Sequence, residues 1–232
     1  MTLAIIPARG GSKRIPRKNL RVFCGKPMIV WSIEAAQESG CFERIVVSTD
    51  DEEIAEVARE HGAEVPFMRP AELSDDHTGT TPVVAHAARS CDAADDDLVC
   101  CIYATTPFLR AEDLVRGGEV LEASGAEYAF TVTSYASPIQ RALRLTSEGR
   151  VEMLDPSAFE TRSQDLEEVW HDAGQFYWGR ARAWKAGTPI FSRNAVPIPL
   201  SRHRVQDIDT EEDWTLAERL FRAGEIGEGD GR

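Results

Sequence analysis

Ile5-Ile6-Pro7-Ala8-Arg9-Gly10-Gly11-Ser12-Lys13-Arg14-Ile15-Pro16-Arg17-Lys18-Asn19 joins an apolar run to a cationic loop. The run, Leu3 to Ile6, is short and has no polar interruption, which predicts a strand buried on both faces. Pro7 and the Gly10-Gly11 pair end it, because neither residue type supports the hydrogen-bond ladder of a central strand. The loop that follows carries Arg9, Lys13, Arg14, Arg17 and Lys18. Glycines let a backbone close on a ligand and turn successive N–H groups toward it. Lysine and arginine heads at the same place neutralise a polyphosphate. Most charge runs are only solvated surface, but the distribution of charge argues for more. Met1 to Ile33 holds seven Lys or Arg and no Asp or Glu, while the rest of the chain sets 19 basic residues (26 less 7) against 39 acidic ones. A basic island in so acidic a protein calls for an anion, and a phosphate-bearing ligand is the expected one.

The chain around this loop has 232 residues, enough for one α/β domain or one domain with a small insert. Its 42% hydrophobic and 28% charged content is ordinary for a globular protein. The formal net charge of −13 argues against a nucleic-acid binder, which needs a basic face. No apolar run approaches the length of a membrane span. The chain enters its first strand almost at once, so no leader segment is expected ahead of it. Cys24, Cys41, Cys91, Cys100 and Cys101 show no Cys-x-x-Cys spacing. They read as reduced, mostly buried thiols of a cytoplasmic protein, and a structural zinc site is not expected.

Beyond the loop, Pro27 opens a helical pattern that runs to about Glu38 and closes at Gly40. Arg44 to Thr49 reads as the next strand. Asp50-Asp51-Glu52-Glu53 then crowds acid onto a helix start, where the dipole favours it, and a helix start is a better account of these residues than a metal site. Ala63 to Phe67 is expected as a short strand, Arg69 to Thr81 as a loop, Pro82 to Cys91 as a helix and Leu98 to Tyr103 as a central strand. Glu112 to Ser124 reads as helix and Tyr128 to Thr133 as strand. This alternation predicts a parallel sheet covered on both faces, with ligands beyond the carboxyl ends of the strands. The basic loop, the Thr49-Asp50 corner and the Thr105-Thr106-Pro107 turn all lie at such ends and should meet in one cleft. The alternation breaks near Ser137, and residues 135–172 read as an excursion containing a hairpin, Arg141 to Leu145 with Arg150 to Leu154. Gly174 to Trp178 and Val205 to Ile208 are expected as later strands, with helices at Arg180 to Ala186 and Glu211 to Arg222. Residues 1–222 form a single domain on this reading, and 223–232 a disordered acidic tail.

Asp207-Ile208-Asp209 is the second place where chemistry collects. Residues two apart on a strand share a face, so both carboxylates project together with Ile208 behind them. Two carboxylates and phosphate oxygens suit Mg²⁺. Strand-end solvation followed by a helix cap at Thr210 fits the same residues. The basic loop is not a Walker A loop and the chain has no Gly-x-Gly-x-x-Gly fingerprint at this position. No Gly-x-Ser-x-Gly nucleophile motif accompanies His171-Asp172.

Ala8-Arg9-Gly10-Gly11-Ser12-Lys13, followed by Ile15-Pro16-Arg17-Lys18-Asn19, resembles the nucleotide loop of the acylneuraminate (sialic acid) cytidylyltransferases, and the resemblance extends to about Arg222. It implies a Rossmann-like α/β fold of the nucleotide-diphospho-sugar transferase type, a mixed, mainly parallel sheet covered by helices, with 135–172 as a small dimerisation extension and a homodimer as the assembly. It implies CTP as the nucleotide, held by Ala8, Arg9, Gly10, Gly11, Ser12, Lys13, Lys18 and Asn19, with Arg69 and Thr80 near cytosine and ribose. Asp207 and Asp209 would hold magnesium, and Lys13 and Lys18 would take up charge on the departing pyrophosphate. Arg162 would pair with the carboxylate of a nonulosonic acid, although a surface ion pair is a common fate for any arginine. Sialic acid enzymes read Gln-Pro-Thr-Ser-Pro-Leu-Arg after the central strand, where this chain has Tyr103-Ala104-Thr105-Thr106-Pro107-Phe108-Leu109-Arg110. Tyr103 therefore alters the sugar pocket. With His171 to Trp178, Ser137 to Arg141 and Arg162 to Glu168, it makes the chain most similar to the pseudaminic acid branch. Gln175 and His171 are expected to touch the sugar, and Phe176, Tyr177 and Trp178 to belong to the core. The same chemistry on N-acetylneuraminic, legionaminic or another 3-deoxy sugar acid is the nearest alternative. A non-catalytic nucleotide-binding regulator is an alternative of another class, disfavoured by the paired Asp207 and Asp209, and the missing Walker and kinase motifs disfavour a phosphotransferase.

Overall fold

The computed structural model describes residues 1–229, with side chains through residue 224. The elements in order are β1 (Thr2–Pro7), β2 (Val22–Phe23), β3 (Lys26–Pro27), α1 (Met28–Ser39), β4 (Arg44–Ser48), α2 (Glu52–Glu60), α3 (Thr80–Ser90), β5 (Leu98–Ile102), α4 (Ala111–Ser124), β6 (Tyr128–Ser134), β7 (Leu143–Leu145), β8 (Val151–Met153), β9 (Trp170–Arg180), α5 (Ala181–Ala186), β10 (Ala195–Pro199) and α6 (Glu211–Gly229). Six strands form the main sheet in the order β10-β6-β9-β5-β1-β4. β1 lies parallel to β4 and β5, and β10 parallel to β6, while β9 runs antiparallel to both of its neighbours. The sheet is therefore mixed and mainly parallel.

Strand alternation sorts the core into two layers. Ala4 and Ile6 of β1 point to the side where Ile29, Val30 and Ile33 of α1, Ile54 and Ala58 of α2, and Leu114 and Leu121 of α4 pack. Leu3 and Ile5 point to the other side, against Val84, Ala87 and Ala88 of α3 and Ala183 and Trp184 of α5. A strand covered on both faces must be apolar throughout, which is what the Leu3 to Ile6 run supplies. A third, smaller cluster of Ile15, Phe23, Met28, Ile208, Trp214 and Ala217 fastens the basic loop to α6.

β9 departs most from the sequence reading. It begins at Trp170 instead of Gly174, so Trp170 to Asp172 belong to the main sheet and not to the excursion. Between the pairs Phe130–Tyr177 and Val132–Asp172, β6 advances two residues while β9 advances five. Residues 173–176 thus bulge from the ladder, and Gly174 takes a φ of 62° that a residue with a Cβ adopts only at a cost. The Thr131 hydroxyl accepts the N–H groups of Gln175 (3.3 Å) and Phe176 (3.4 Å) where the ladder is broken.

Two expected strands are absent. Ala63 to Phe67 makes only the isolated bridges Val46–Glu64 and Thr49–Met68, because Pro66 has no N–H to continue a ladder. Val205 to Ile208 is extended without strand partners, after a 3₁₀ turn at Arg202–Arg204. β10 was not anticipated. Its Pro197 and Pro199 cannot donate to a second neighbour, and it is indeed the outermost strand. The hairpin of the excursion forms as β7 and β8, in a sheet of its own. Helix α6 continues past Arg222 to Gly229, and of the expected acidic tail residues 230–232 lie outside those described. Among the described residues no helix is long and apolar enough to cross a membrane.

Candidate active site

The basic loop leaves β1 and is pinned where β4 ends. The Gly10 N–H donates to Asp50 Oδ1 at 3.0 Å. A Cβ on Gly10 would lie 2.4 Å from Asp51 Oδ2, so only glycine passes this corner. Asp51 also caps α2 by accepting the Ile54 N–H at 3.1 Å and holds the Arg17 guanidinium, which keeps its carboxyl below the usual range. Arg17 adopts a φ of 54°, uncommon for a residue with a Cβ, and its ion pairs to Asp51 and Glu53 hold it there. Asn19, buried, ties the loop back on itself by donating to the Arg9 carbonyl at 3.0 Å. The result is a cavity of about 200 Å³ lined by Arg9, Ser12, Lys13, Arg14, Lys18, Asn19, Tyr103 and Thr105, among others.

Each cation of the loop already has a carboxylate. Arg9 bonds Asp76 at 2.7 Å and the Asp75 carbonyl at 2.9 Å, and Lys13 pairs with the same Asp76. Lys13 and then Arg9 pull the Asp76 carboxyl below its ordinary pKa. Arg14 pairs with Asp209 at 2.7 Å, and Lys18 reaches the Ile208 carbonyl at 2.6 Å and Asp209 at 3.4 Å. The basic island is thus balanced within the protein by acids from later segments, and an arriving triphosphate competes with them.

Asp207 and Asp209 do project near one another, although no strand carries them. Ile208, buried between them, anchors the turn in the third core cluster. Withdrawal from water raises the Asp207 carboxyl, the Asp209 carboxylate adds to this, and Lys18 and Arg14 oppose it. Asp207 is still exposed over much of its surface, so that withdrawal is modest. The helix-cap reading holds as well: Thr210 Oγ1 accepts the Asp213 N–H at 3.2 Å, and Asp213 takes the N–H groups of Asp209 and Thr210. Both carboxylates are hard oxygen donors crowded against each other, a set that Mg²⁺ shared with phosphate oxygens fits.

A second cavity, of about 480 Å³, adjoins the first through Tyr103 and Thr105, which line both. Its wall includes Thr106, Phe108, His171, Asp172, Gly174, Gln175, Gln206 and Asp207. The Tyr103 hydroxyl meets Thr80 Oγ1 at 3.0 Å, and burial raises its pKa. Tyr177 donates to Asp172 Oδ2 at 2.5 Å. His171 Nδ1 lies 2.9 Å from the Asp172 carbonyl oxygen. Gln175 is 3% exposed, and its Nε2 donates to the Arg204 carbonyl at 2.6 Å.

The sequence-predicted residues divide into those the structure gathers and those it does not. Arg9, Ser12, Lys13, Lys18, Asn19 and Tyr103 line the first cavity, and Tyr103, His171, Gln175 and Asp207 the second. Gly10, Gly11 and Ala8 shape the approach. The Ala8 side chain is core and its N–H is spent on Ser48. Arg69 is buried with its guanidinium on Ser48, and burial lowers its pKa. Thr80 sits behind Tyr103, in the first turn of α3. Arg162 stands apart. It is exposed, pairs with Asp165 at 2.8 Å and lines neither cavity. Sequence reasoning missed Asp76, which meets Lys13 across 63 residues of chain, a pairing no local pattern reveals. It also passed over Asp172 as a site residue, although its place beside His171 marked it.

Comparison with known proteins agrees with this geometry. A family model described as cytidylyltransferase matches residues 3–215. The chain is 45% identical over 222 residues to the pseudaminic acid cytidylyltransferase of Campylobacter jejuni, covering 95% of this chain and 96% of that protein. It is 33% identical over 228 residues to the CMP-N,N'-diacetyllegionaminic acid synthase of Legionella pneumophila, covering 94% of this chain and 95% of that protein. In fold it resembles a CMP:2-keto-3-deoxy-manno-octonic acid synthetase solved with CTP, at a TM-score of 0.72 and 17% identity, over 97% of this chain and all of that one.

Proposed function

The chain belongs to the cytidylyltransferase family, and on that premise we propose that it transfers CMP from CTP to the anomeric hydroxyl of pseudaminic acid. The hydroxyl oxygen attacks the α-phosphorus and gives up its proton to solvent, the bond to the bridging oxygen of the β-phosphate breaks, and pyrophosphate leaves. The observation that carries the reading is the pair of adjoining cavities. One is walled by Arg9, Lys13, Arg14 and Lys18, the other by neutral polar groups and carboxylates, with Tyr103 and Thr105 common to both. Two substrates seated there meet at Tyr103 and Thr105.

Phosphoryl transfer of this kind needs positioning and charge neutralisation more than a covalent nucleophile. Arg9 and Lys13 exchange Asp76 for phosphate oxygens, and Lys13 and Lys18 take up charge gathering on pyrophosphate. Asp207 and Asp209 would hold Mg²⁺ with the triphosphate. When bound, the ion supplies Lewis-acid stabilisation of the phosphate oxygens. Tyr103 presents a ring to the sugar and commits its hydroxyl to Thr80. A pocket of that kind favours the methyl-bearing, deoxygenated tail of pseudaminic acid over a glycerol tail.

The assembly we infer is a homodimer. Leu143, Leu145, Val151, Leu154 and Phe159 of the excursion are each at least 59% exposed, an apolar surface suited to a second copy. Arg162 is carried on the same excursion. A cytoplasmic enzyme fits thiols that form no disulfide among the described residues.

The test is kcat/KM with CTP and purified pseudaminic, legionaminic or N-acetylneuraminic acid in turn, following pyrophosphate. Pseudaminic acid is expected to be preferred by at least about ten-fold, the scale of a mismatched polar contact in a substrate pocket. Equal or better use of N-acetylneuraminic acid would return the chain to the sialic acid branch.

A further inference from the structure

Asp172 is a half-buried carboxylate in the wall of the second cavity. It has no ion-pair partner among the described residues, whereas every cation of the neighbouring loop is paired with some other acid. Two neutral donors hold it: the Gly174 N–H on Oδ1 at 2.9 Å and the Tyr177 hydroxyl on Oδ2 at 2.5 Å. An ionised carboxylate offers about four acceptor positions, so further donors are wanted at this end of the cavity. A carboxylate withdrawn from water without a cation is stable only where such donors are supplied.

The orientation of this group is fixed from behind. The Tyr177 ring packs on the Tyr103 ring, centroids 5.3 Å apart, and the Tyr103 hydroxyl meets Thr80 Oγ1 at 3.0 Å. Because a carboxylate only accepts, the Tyr177 hydroxyl donates its proton to Asp172. Asp172 pairs with Val132 in the ladder, and the bulge that follows at residues 173–176, with Gly174 at positive φ, brings the Gly174 N–H onto Asp172 Oδ1.

We propose that Asp172 is a specificity-determining residue of the sugar site, accepting a hydrogen bond from a donor on the tail of the acid sugar. Its negative charge also keeps the sugar's own carboxylate away from this end of the cavity and so fixes the direction in which the sugar lies. The proposal rests on the acid-sugar reading above. The donor that suits a fixed acceptor is an amide N–H, whose direction is set by its planar group. A diacetamido acid sugar carries a second such group in its tail, and N-acetylneuraminic acid carries hydroxyls there.

The experiment uses the full chain with Asp172→Asn, which keeps size and replaces one acceptor oxygen by a donor. KM for CTP, kcat/KM for pseudaminic acid and for N-acetylneuraminic acid, and Tm are measured beside wild type. The expected result is a loss of roughly ten- to a hundred-fold in kcat/KM for pseudaminic acid, the range of a lost hydrogen bond to a charged group. The loss for N-acetylneuraminic acid is smaller, so the ratio between the sugars falls, and KM for CTP stays within about two-fold. Equal losses for both sugars, or a parallel rise in KM for CTP, would overturn the proposal, since a merely structural residue gives that pattern. If Asp172→Asn does not fold, Tyr177→Phe carries the test: it frees the carboxylate from one holder and should lower the same ratio. An unchanged ratio in Tyr177→Phe overturns the proposal too. Wild type that releases no pyrophosphate from CTP with any acid sugar refutes the functional reading itself, an outcome distinct from turnover with an unaltered ratio.

Discussion

Lys13 and Lys18 show how two lysines of one loop come to differ. Lys13 is exposed and pairs with Asp76, whereas Lys18 is largely covered and braces the Ile208 carbonyl as well as Asp209. Losing a charge-assisted contact to phosphate costs about 1.5–3 kcal/mol, or roughly ten- to a hundred-fold. Lys13→Ala should therefore reduce kcat/KM for CTP by that factor with an unchanged Tm. Lys18→Ala should reduce it comparably and lower Tm as well, because the turn bearing Asp207 and Asp209 loses its brace. Steady-state kinetics with thermal unfolding separates the two, and full activity in Lys18→Ala would remove that lysine from the site. Asp207 makes the complementary case. Its carboxyl is raised above the usual value, so near that value the native state binds more protons than the unfolded chain, and stability falls as pH rises through this window. Asp207→Asn should then be slightly more stable than wild type at pH 7. The gain should vanish below the ordinary carboxylate pKa of about 3.9, while activity is lost. Unfolding midpoints across pH check this. A variant less stable at neutral pH would mean that Asp207 is held by contacts stronger than the crowding that raises it.

Elements place these residues because small side chains let them approach. Gly117 of α4 lies against β9, and a Cβ there would fall 2.6 Å from Phe176 and 2.7 Å from Trp178. Gly117→Ala should cost about 1–3 kcal/mol by overpacking, read as a lowered Tm. It should also disturb the sugar site, since Phe176 adjoins the bulge that carries Gln175. A neutral substitution would show that α4 slides freely over the sheet. The strands that build the nucleotide end were legible because their residues announce them. Leu3 to Ile6 and Leu98 to Ile102 are apolar throughout, as doubly covered strands must be, and Gly40 ends α1 in the left-handed conformation only glycine enters cheaply. The sugar end was less legible. Trp170 to Asp172 alternates no more clearly than a loop does, and the bulge that joins it to Phe176 exists only through pairing with β6. Val205 to Ile208 has the composition of a strand and finds no neighbour; Val205, Gln206 and Asp207 line the second cavity instead. Asp76, which balances Arg9 and Lys13, was invisible for the same reason: it comes from a distant segment, and only the fold brings it in.

At the scale of the molecule, a mainly parallel sheet delivers the ends of β1, β4 and β5 to one edge, where the basic loop, Asp50 and the Tyr103 to Thr106 turn converge. The reversed strand β9 closes that edge from the other side and brings His171 to Gln175 opposite. The excursion hangs outside this body with Leu143, Leu145, Val151, Leu154 and Phe159 exposed. Leu145→Asp should convert the inferred homodimer to monomer by light scattering without altering Tm steeply, since Leu145 is 80% exposed in the protomer. A wild-type protein that is monomeric at every concentration would contradict the assembly. The central claim is the transfer of CMP itself, and phosphorus NMR of CTP with pseudaminic acid, Mg²⁺ and the protein observes it directly. The predicted result is loss of the three triphosphate resonances, with one phosphodiester signal and pyrophosphate appearing in equimolar amounts. Release of inorganic phosphate with CDP, or an unchanged CTP spectrum at concentrations where the protein is folded, would contradict the account.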